Sequence, residues 1–175
     1  MPAVNLSPWC PDWTRIFAMV RDELRAACES SEFAIEHIGS TSVAGLVAKP
    51  VIDVLLGARS LAEIEARTDA LAAARFEYVS KHEDVLPMRR YFVKQSADGL
   101  RVHVHGVVEG SDLWRDHLAF RDALREDAAL RDAYQELKLK LAREFAHDKA
   151  AYTDAKAPFI RGVLDARRTG GAASC

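Results

Sequence analysis

Asp53 is the only charge in the apolar run Val51–Leu56, VIDVLL. A carboxylate among aliphatic side chains pays a desolvation cost unless it has a partner, and a metal ion is one such partner. Upstream of it lies a hydroxyl-rich turn, Gly39-Ser40-Thr41-Ser42. Gly39 can take a positive φ and let the backbone approach a ligand closely. Ser40, Thr41 and Ser42 offer hydroxyls and amide N–H groups at the start of a short helical step, which suits a phosphate. Further on, His103 and His105 alternate with Val102 and Val104. A strand there sends both imidazoles to one face. If it runs beside the strand carrying Asp53, the three side chains converge. Two histidines and one carboxylate suit Zn²⁺, Mn²⁺ or Fe²⁺ better than Mg²⁺. Alternatively the histidines bind phosphate or act as a general base. His37, just before Gly39, is a weaker candidate.

Basic residues form a second group. Lys49 lies four residues before Asp53, and Arg89, Arg90, Lys94 and Arg101 cluster on two strand-like runs that form a hairpin. Guanidinium groups pair bidentately with phosphate, so Arg90 and Arg101 are candidate phosphate clamps. Each group also has a plain structural reading. Ser40 can be a helix cap, Asp53 a hydrogen-bonded strand acid, the histidines half-buried and satisfied, and the arginines ordinary surface charge.

The elements that must position these residues follow from periodicity and breakers. Residues 1–11 carry Pro2, Pro8 and Pro11 and read as an irregular arm. Asp12 caps a helix over 13–27, with Trp13, Ile16, Phe17, Val20 and Leu24 on one face. Phe33, Ile35 and Ile38 mark a strand ending at Gly39, and the apolar run 51–56 a second, closed by Gly57. Ser60 with Glu63 opens a helix in capping-box fashion. Strands follow at 76–79, 90–94 and 100–108, the last two joined by an Asp98-Gly99 turn. Alternation puts Arg90, Phe92 and Lys94 on one face and Tyr91 and Val93 on the other. Glu109 follows the histidine pair as a candidate third acid or a solvated strand end. Helical patterns then run over 112–125, capped by Ser111, and over 128–147, with a third across 152–166. In the second of these, Lys138 reads as an exposed lysine. Residues 167–175 read as a frayed tail. The result is one α+β domain, a small mixed β-sheet flanked by helices with a helical C-terminal half.

The chain has 175 residues, enough for a real core, with 49% hydrophobic and 29% charged residues. A formal net charge of −2 does not indicate nonspecific nucleic-acid coating, although a local basic patch remains compatible with it. No apolar run is long enough to span a membrane, and no signal peptide is evident. Cys10, Cys28 and Cys175 are too scattered for a disulfide framework or a zinc knuckle. A cytoplasmic protein is the expectation.

The stretch Glu36–Leu56, EHIGSTSVAGLVAKPVIDVLL, resembles the signature of the GrpB family, a branch of the nucleotidyltransferase superfamily with a polymerase-β-like palm fold. Arg89–Lys94, Arg101–Trp114, His117–Arg125 and Tyr152–Ile160 are similar to the same family, so the resemblance covers nearly the whole chain. It implies a nucleotidyltransferase-like fold and a metal-dependent transfer from a nucleoside triphosphate to a small acceptor or RNA. In that superfamily Asp-x-Asp or Asp-x-Glu follows the Gly-Ser turn, and the acids bind two Mg²⁺ ions. Here Leu55 stands where the second acid belongs, and His103 and His105 are the candidate compensation, with Asp53, for a Mg, Mn or Zn site. Tyr152 and Lys156 are implied as substrate contacts. Two alternatives stay open. One is a catalytically degenerate module for a nucleotide or coenzyme A-like ligand, in keeping with GrpB-like domains fused behind dephospho-CoA kinase. The other is an ATP-using, ligase-type enzyme.

Overall fold

The computed structural model describes residues 4–29 and 32–171. Five strands form one sheet: β1 (Ala34–Ile38), β2 (Val51–Ala58), β3 (Glu77–Tyr78), β4 (Arg90–Gln95) and β5 (Arg101–Val108). Their order across the sheet is β1-β2-β5-β4-β3. Every pairing is antiparallel except that of β2 with β5, which is parallel and sets Asp53 opposite His103 and Leu55 opposite His105. Because side chains alternate, that register sends Asp53, Leu55, His103, His105 and Val107 to one face.

The other face is entirely apolar at its centre. Ile52, Val54, Leu56, Val102, Val104 and Phe92 pack there against Trp13, Ile16, Val20 and Leu24 of α1 (Asp12–Cys28). Two short helices complete this layer, α2 (Leu61–Glu65) and α3 (Thr68–Ala73), where a single helix was expected. Ser60 caps α2 by accepting from the Glu63 amide, as its spacing predicts. Proline at position 11, rather than Asp12, is the residue before α1, and Asp12 opens the first turn, where a carboxylate suits the helix dipole.

Four helices make the C-terminal half: α4 (Asp112–Glu126), α5 (Ala128–Glu144), α6 (Lys149–Asp154) and α7 (Ala157–Gly171). Helix α4 lies against the polar face of the sheet, its Trp114 packing with Ile38, Leu55 and Val107. The sequence suggests one helix over 152–166; the chain instead breaks between α6 and α7, leaving Lys156 in the break.

The N-terminal arm is irregular, and only the tail departs from its expectation. The arm is pinned: the Val4 amide donates to the Ala146 carbonyl at 2.8 Å, and Ser7 and Ala48 exchange backbone bonds of 2.8 and 2.9 Å. Its prolines exclude a helix, but they do not stop single residues from pairing with the loop before β2. Residues 167–171 belong to α7 rather than to a frayed tail, while 172–175, including Cys175, lie outside the described residues, as do 1–3.

Gly57 does not close β2 as expected but sits inside it, paired with Ala34 and Val107. A Cβ there would lie 2.6 Å from Trp114 Cζ3, so the missing side chain is what lets the indole rest on the sheet. Gly57→Ala is expected to destabilise the fold by about 1–3 kcal/mol, the usual cost of overpacking. Urea denaturation followed by tryptophan fluorescence measures it, and Trp114→Leu in the same chain should recover part of the loss.

Candidate active site

The polar face of β2 and β5 brings Asp53, His103 and His105 together. Asp53 Oδ1 lies 3.4 Å from His103 Nδ1 and 3.7 Å from His105 Nε2. The other nitrogen of each ring faces an arginine: Arg101 Nε is 3.0 Å from His103 Nε2, and Arg89 Nη1 is 3.3 Å from His105 Nδ1. A guanidinium only donates, so those ring nitrogens accept. The imidazole protons therefore sit on His103 Nδ1 and His105 Nε2, both aimed at the carboxylate. Burial alone would raise the Asp53 pKa, but the two imidazole N–H groups outweigh it and hold the carboxyl well below the usual range. Gly39 makes room for this carboxylate. It has φ 69° and ψ −176°, a glycine conformation, and a Cβ on it would lie 2.4 Å from Asp53 Oδ2. What the Gly39 backbone closely approaches is thus Asp53.

This arrangement does not fit a metal held by all three side chains. A ligating histidine turns a lone pair to the metal and its remaining N–H to an acceptor. Here the N–H groups face Asp53 and the lone pairs face cations. Among the described residues no group of three or more His, Cys, Asp or Glu is disposed to hold a metal ion. Leu55 is fully buried against Ile38, Val107 and Trp114, so the position of the missing second acid has become core. Glu109 is exposed beyond the end of β5 and does not replace it.

Beside Asp53 opens a cavity of about 270 Å³ lined by Ser40, Thr41, Lys49, Val51, Asp53, His103, Lys138, Tyr152, Thr153 and Lys156. Three lysines meet there from three parts of the chain. Lys49 Nζ lies 4.2 Å and Lys156 Nζ 4.6 Å from the centre of the buried Tyr152 ring, both in cation–π contact. Lys138, only 2% exposed, donates to Ser40 Oγ at 2.7 Å and to the Val47 carbonyl. None of the three has an ion-pair partner among the described residues. Burial, then the neighbouring Lys156 and Lys49 charges, lower the Lys138 pKa to about 7 against a partial offset from Asp53. Burial and Lys49 bring Lys156 to about 8. Burial and Lys149 lower Lys49 as well. Three cations against one carboxylate, with the hydroxyls of Ser40, Thr41 and Thr153 around them, suit a multiply charged anion.

Ser40, Thr41, Lys49, Asp53, His103, Tyr152 and Lys156 thus line one cavity, which joins residues that the sequence left in separate groups and leaves out His105. Other candidates lie elsewhere. Ser40–Ser42 form a single 3₁₀ turn, not the start of an α-helix, so no helix dipole contributes. Ser42 is inward, its Oγ bonded to the Gly39 carbonyl at 2.6 Å. Arg90 points to the opposite face and pairs with Glu65 at 2.6 Å, with Glu83 beyond; it is no phosphate clamp in this structure, because alternation along β4 carries it to the Phe92 side. His37 is also on that face, stacked on Phe17, with Nε2 3.1 Å from Thr41 Oγ1. Arg101 lies at the rim of the site on the His103 side. Lys138 is the main correction: it is buried in the site, not exposed. Its place in the stripe Tyr134–Lys138–Leu141 was the available signal, since a lysine on the buried face of a helix needs a reason. Tyr91 and His117 were also passed over, and Arg89 was counted among the basic residues without a role of its own.

A buried cation leaves a signature in stability. The unfolded chain keeps the Lys138 proton up to about 10.5 and the folded chain only to about 7, so between these values the unfolded state binds more protons and stability rises with pH. The unfolding free energy of wild type relative to Lys138→Met is therefore expected to improve from pH 7 to pH 10, by at most about 1.4 kcal/mol per pH unit. Urea denaturation at three pH values tests it; a flat difference would show that Lys138 titrates as it does in water.

Comparison with known proteins agrees with this architecture. The family model described as GrpB protein matches residues 3–166. The glutamate-rich protein GrpB of Alkalihalophilus pseudofirmus is 30% identical over 158 residues, covering 88% of this chain and 90% of that one. A dephospho-CoA kinase of Mycobacterium bovis is 28% identical over 178 residues, matching 89% of this chain but 44% of its own length. The crystal structure of GrpB from Enterococcus faecalis superposes with a TM-score of 0.78 at 29% identity, over 91% of this chain and 94% of that one. A cytoplasmic RNA terminal U-transferase superposes at 0.54 and 13% identity over 75% of this chain and 41% of that one, a likeness of fold alone. With its five-stranded mixed sheet, its flanking helices and a family match over nearly its whole length, the chain belongs to the GrpB family.

Proposed function

We propose that the protein is a nucleotidyltransferase-like enzyme that seats the phosphates of a nucleoside triphosphate in the lysine cavity and passes a nucleotidyl group to a small acceptor. The observation that carries this reading is the convergence of Lys49, Lys138 and Lys156, none ion-paired, beside Asp53. A buried cation without a carboxylate is costly, and an anionic ligand offsets that cost. Ser40 Oγ accepts from Lys138, which leaves its own proton for a phosphate oxygen. The fold likeness to a terminal U-transferase supports the reaction class by analogy only. RNA as acceptor is less favoured, given the net charge of −2.

A divalent ion such as Mg²⁺, Mn²⁺ or Zn²⁺ would arrive with the triphosphate rather than reside in the protein. Asp53 is the one cavity carboxylate that could share it, and the ion would screen phosphate charge. The chain's own residues do the rest: lysines bind phosphate, and Asp53 orients His103, whose ring lines the cavity. A second reading, a nucleotide- or coenzyme-binding module without turnover, is favoured by the burial of Leu55 at the second-acid position. The match to part of a dephospho-CoA kinase is compatible with it. Ligase-type use of ATP is a third outcome of the same test.

The test is calorimetry with ATP and the other triphosphates, with and without Mg²⁺, paired with an assay for pyrophosphate release. Lys138→Met should weaken binding about 10- to 100-fold, the range for a lost charge-assisted bond. Binding without turnover would move the protein to the module reading; absence of any nucleotide binding would end both. Affinity should fall as pH rises from 7 to 9, because the complex needs protonated lysines while the free site begins to lose protons at about 7. Binding at pH 8 should accordingly take up protons, read as a dependence of the observed enthalpy on the buffer's ionisation enthalpy.

A further inference from the structure

Across Asp53 from the lysines lies a second basic group that the cavity does not include. Arg101 and Arg89 reach from opposite ends of the site toward His103 and His105, and Tyr91 lies between the two rings, at 5.6 Å from His103 and 5.3 Å from His105. Arg89 also lies over the Tyr91 ring at 4.9 Å. His117 from α4 closes the group, its ring 5.7 Å from His105, and burial keeps it neutral with a pKa of about 4. Neither Arg89 nor Arg101 has a carboxylate within ion-pair distance among the described residues. Arg90, between Arg89 and Tyr91, has two, Glu65 and Glu83, so the chain pairs the arginine on the far face and leaves the one on this face unpaired. A neutral imidazole nitrogen satisfies one guanidinium N–H but no charge. The single local acid, Asp53, already faces both imidazoles, at 3.4 and 3.7 Å.

We infer that Arg89 and Arg101, set around Tyr91, form a second anion subsite that seats the acceptor, a small molecule bearing its own phosphate or carboxylate group. This rests on the transferase reading for the word acceptor, but not for the subsite. The geometry ties the two sites together through His103, which lines the lysine cavity with Asp53 behind it and hydrogen-bonds to Arg101 in front. Arg101 is exposed and can turn from the ring to an arriving anion. That frees the lone pair on His103 Nε2. An acceptor hydroxyl held there gives its proton to Nε2, and its oxygen bonds to the α-phosphorus of the triphosphate. The bond from that phosphorus to the bridging oxygen breaks, and pyrophosphate leaves with the electron pair. Asp53 stabilises the imidazolium that forms, as a carboxylate behind a histidine does in acyl transfer. The anionic acceptor is thus also the signal that uncovers the base.

The experiment fills the lysine cavity with pyrophosphate and then titrates inorganic phosphate or acetate by calorimetry, while ¹⁵N spectra report the imidazole nitrogens. Wild type should bind one further anion, with a change at His103 Nε2 as Arg101 departs; preference for phosphate or acetate names the acceptor group. Arg101→Gln, and Arg89→Gln in the same chain, should weaken that second step at least tenfold while changing pyrophosphate affinity less than threefold. Lys138→Met should do the converse. A second anion that never binds, or that binds equally well to the double variant, overturns the subsite. Loss of pyrophosphate binding in wild type with phosphate still held by the arginines would instead sink the lysine-cavity reading and leave the subsite standing.

Discussion

A carboxylate stays charged inside a folded protein only where donors surround it, and Asp53 imposes that condition on this structure. It lies on the middle strand of three, between β1 and β5, where bulk water cannot serve it fully. Its donors must come from the neighbouring strand, and only the parallel register of β2 with β5 brings His103 level with it and His105 one step beyond. A neutral imidazole offers one N–H while its other nitrogen accepts, and Arg101 and Arg89 supply the donors for those second nitrogens. One partly buried charge is thus matched by a tautomer at two histidines and the placement of two arginines.

The loop between β1 and β2 has little regular structure of its own and is held from outside. Arg125 donates twice to the Ser42 carbonyl, at 3.1 and 2.8 Å. Gln135 Oε1 accepts from the Val47 amide at 2.9 Å. Lys138 binds both Ser40 and Val47. On the opposite side Trp9 donates to the Thr41 carbonyl at 3.1 Å, and Ser7 pairs with Ala48. The helical half is therefore part of the site rather than an appendage, because α5 supplies a cavity lysine and α4 and α5 fix the loop that faces it. The arm contributes from the other flank. A chain cut before α4 would lose its cavity even if the sheet remained paired.

The same economy explains the two faces of the sheet. One face is aliphatic and aromatic at its centre, with Arg90, Lys94 and His37 set around that core, and gives the apolar burial that drives folding. The other gives up some of that burial to Asp53, His103 and His105, and recovers part of it where Trp114 covers Leu55 and the bare backbone of Gly57. Leu55 belongs to that recovery. An acid there would face an indole, not a metal, so the departure from the two-acid pattern is built into packing and is not a local vacancy.

Much of this was legible in the chain before any coordinates. Strand alternation puts both histidines on one face, and the isolated Asp53 in an apolar run announces a charge in need of partners; both depend only on neighbours in sequence, where periodicity is informative. Ser60, Ser111 and the apolar face of α1 are local signals of the same kind. What sequence could not decide was set by contacts between distant residues. Lys138 meets Ser40 across 98 positions, and nothing near it in the chain tells a buried lysine from a solvated one except its place in an apolar stripe. Arg90 and Arg89 differ by one residue, hence by a face, and only the pairing of β4 with β5 shows that the site receives the second. The tautomers, and with them the misfit of a three-ligand metal, rest on where two guanidinium groups end up. Residue type and spacing therefore determined which groups were available and on which strand face they lay. The tertiary structure alone decided which charges stay unpaired, because pairing is a matter of distance in space.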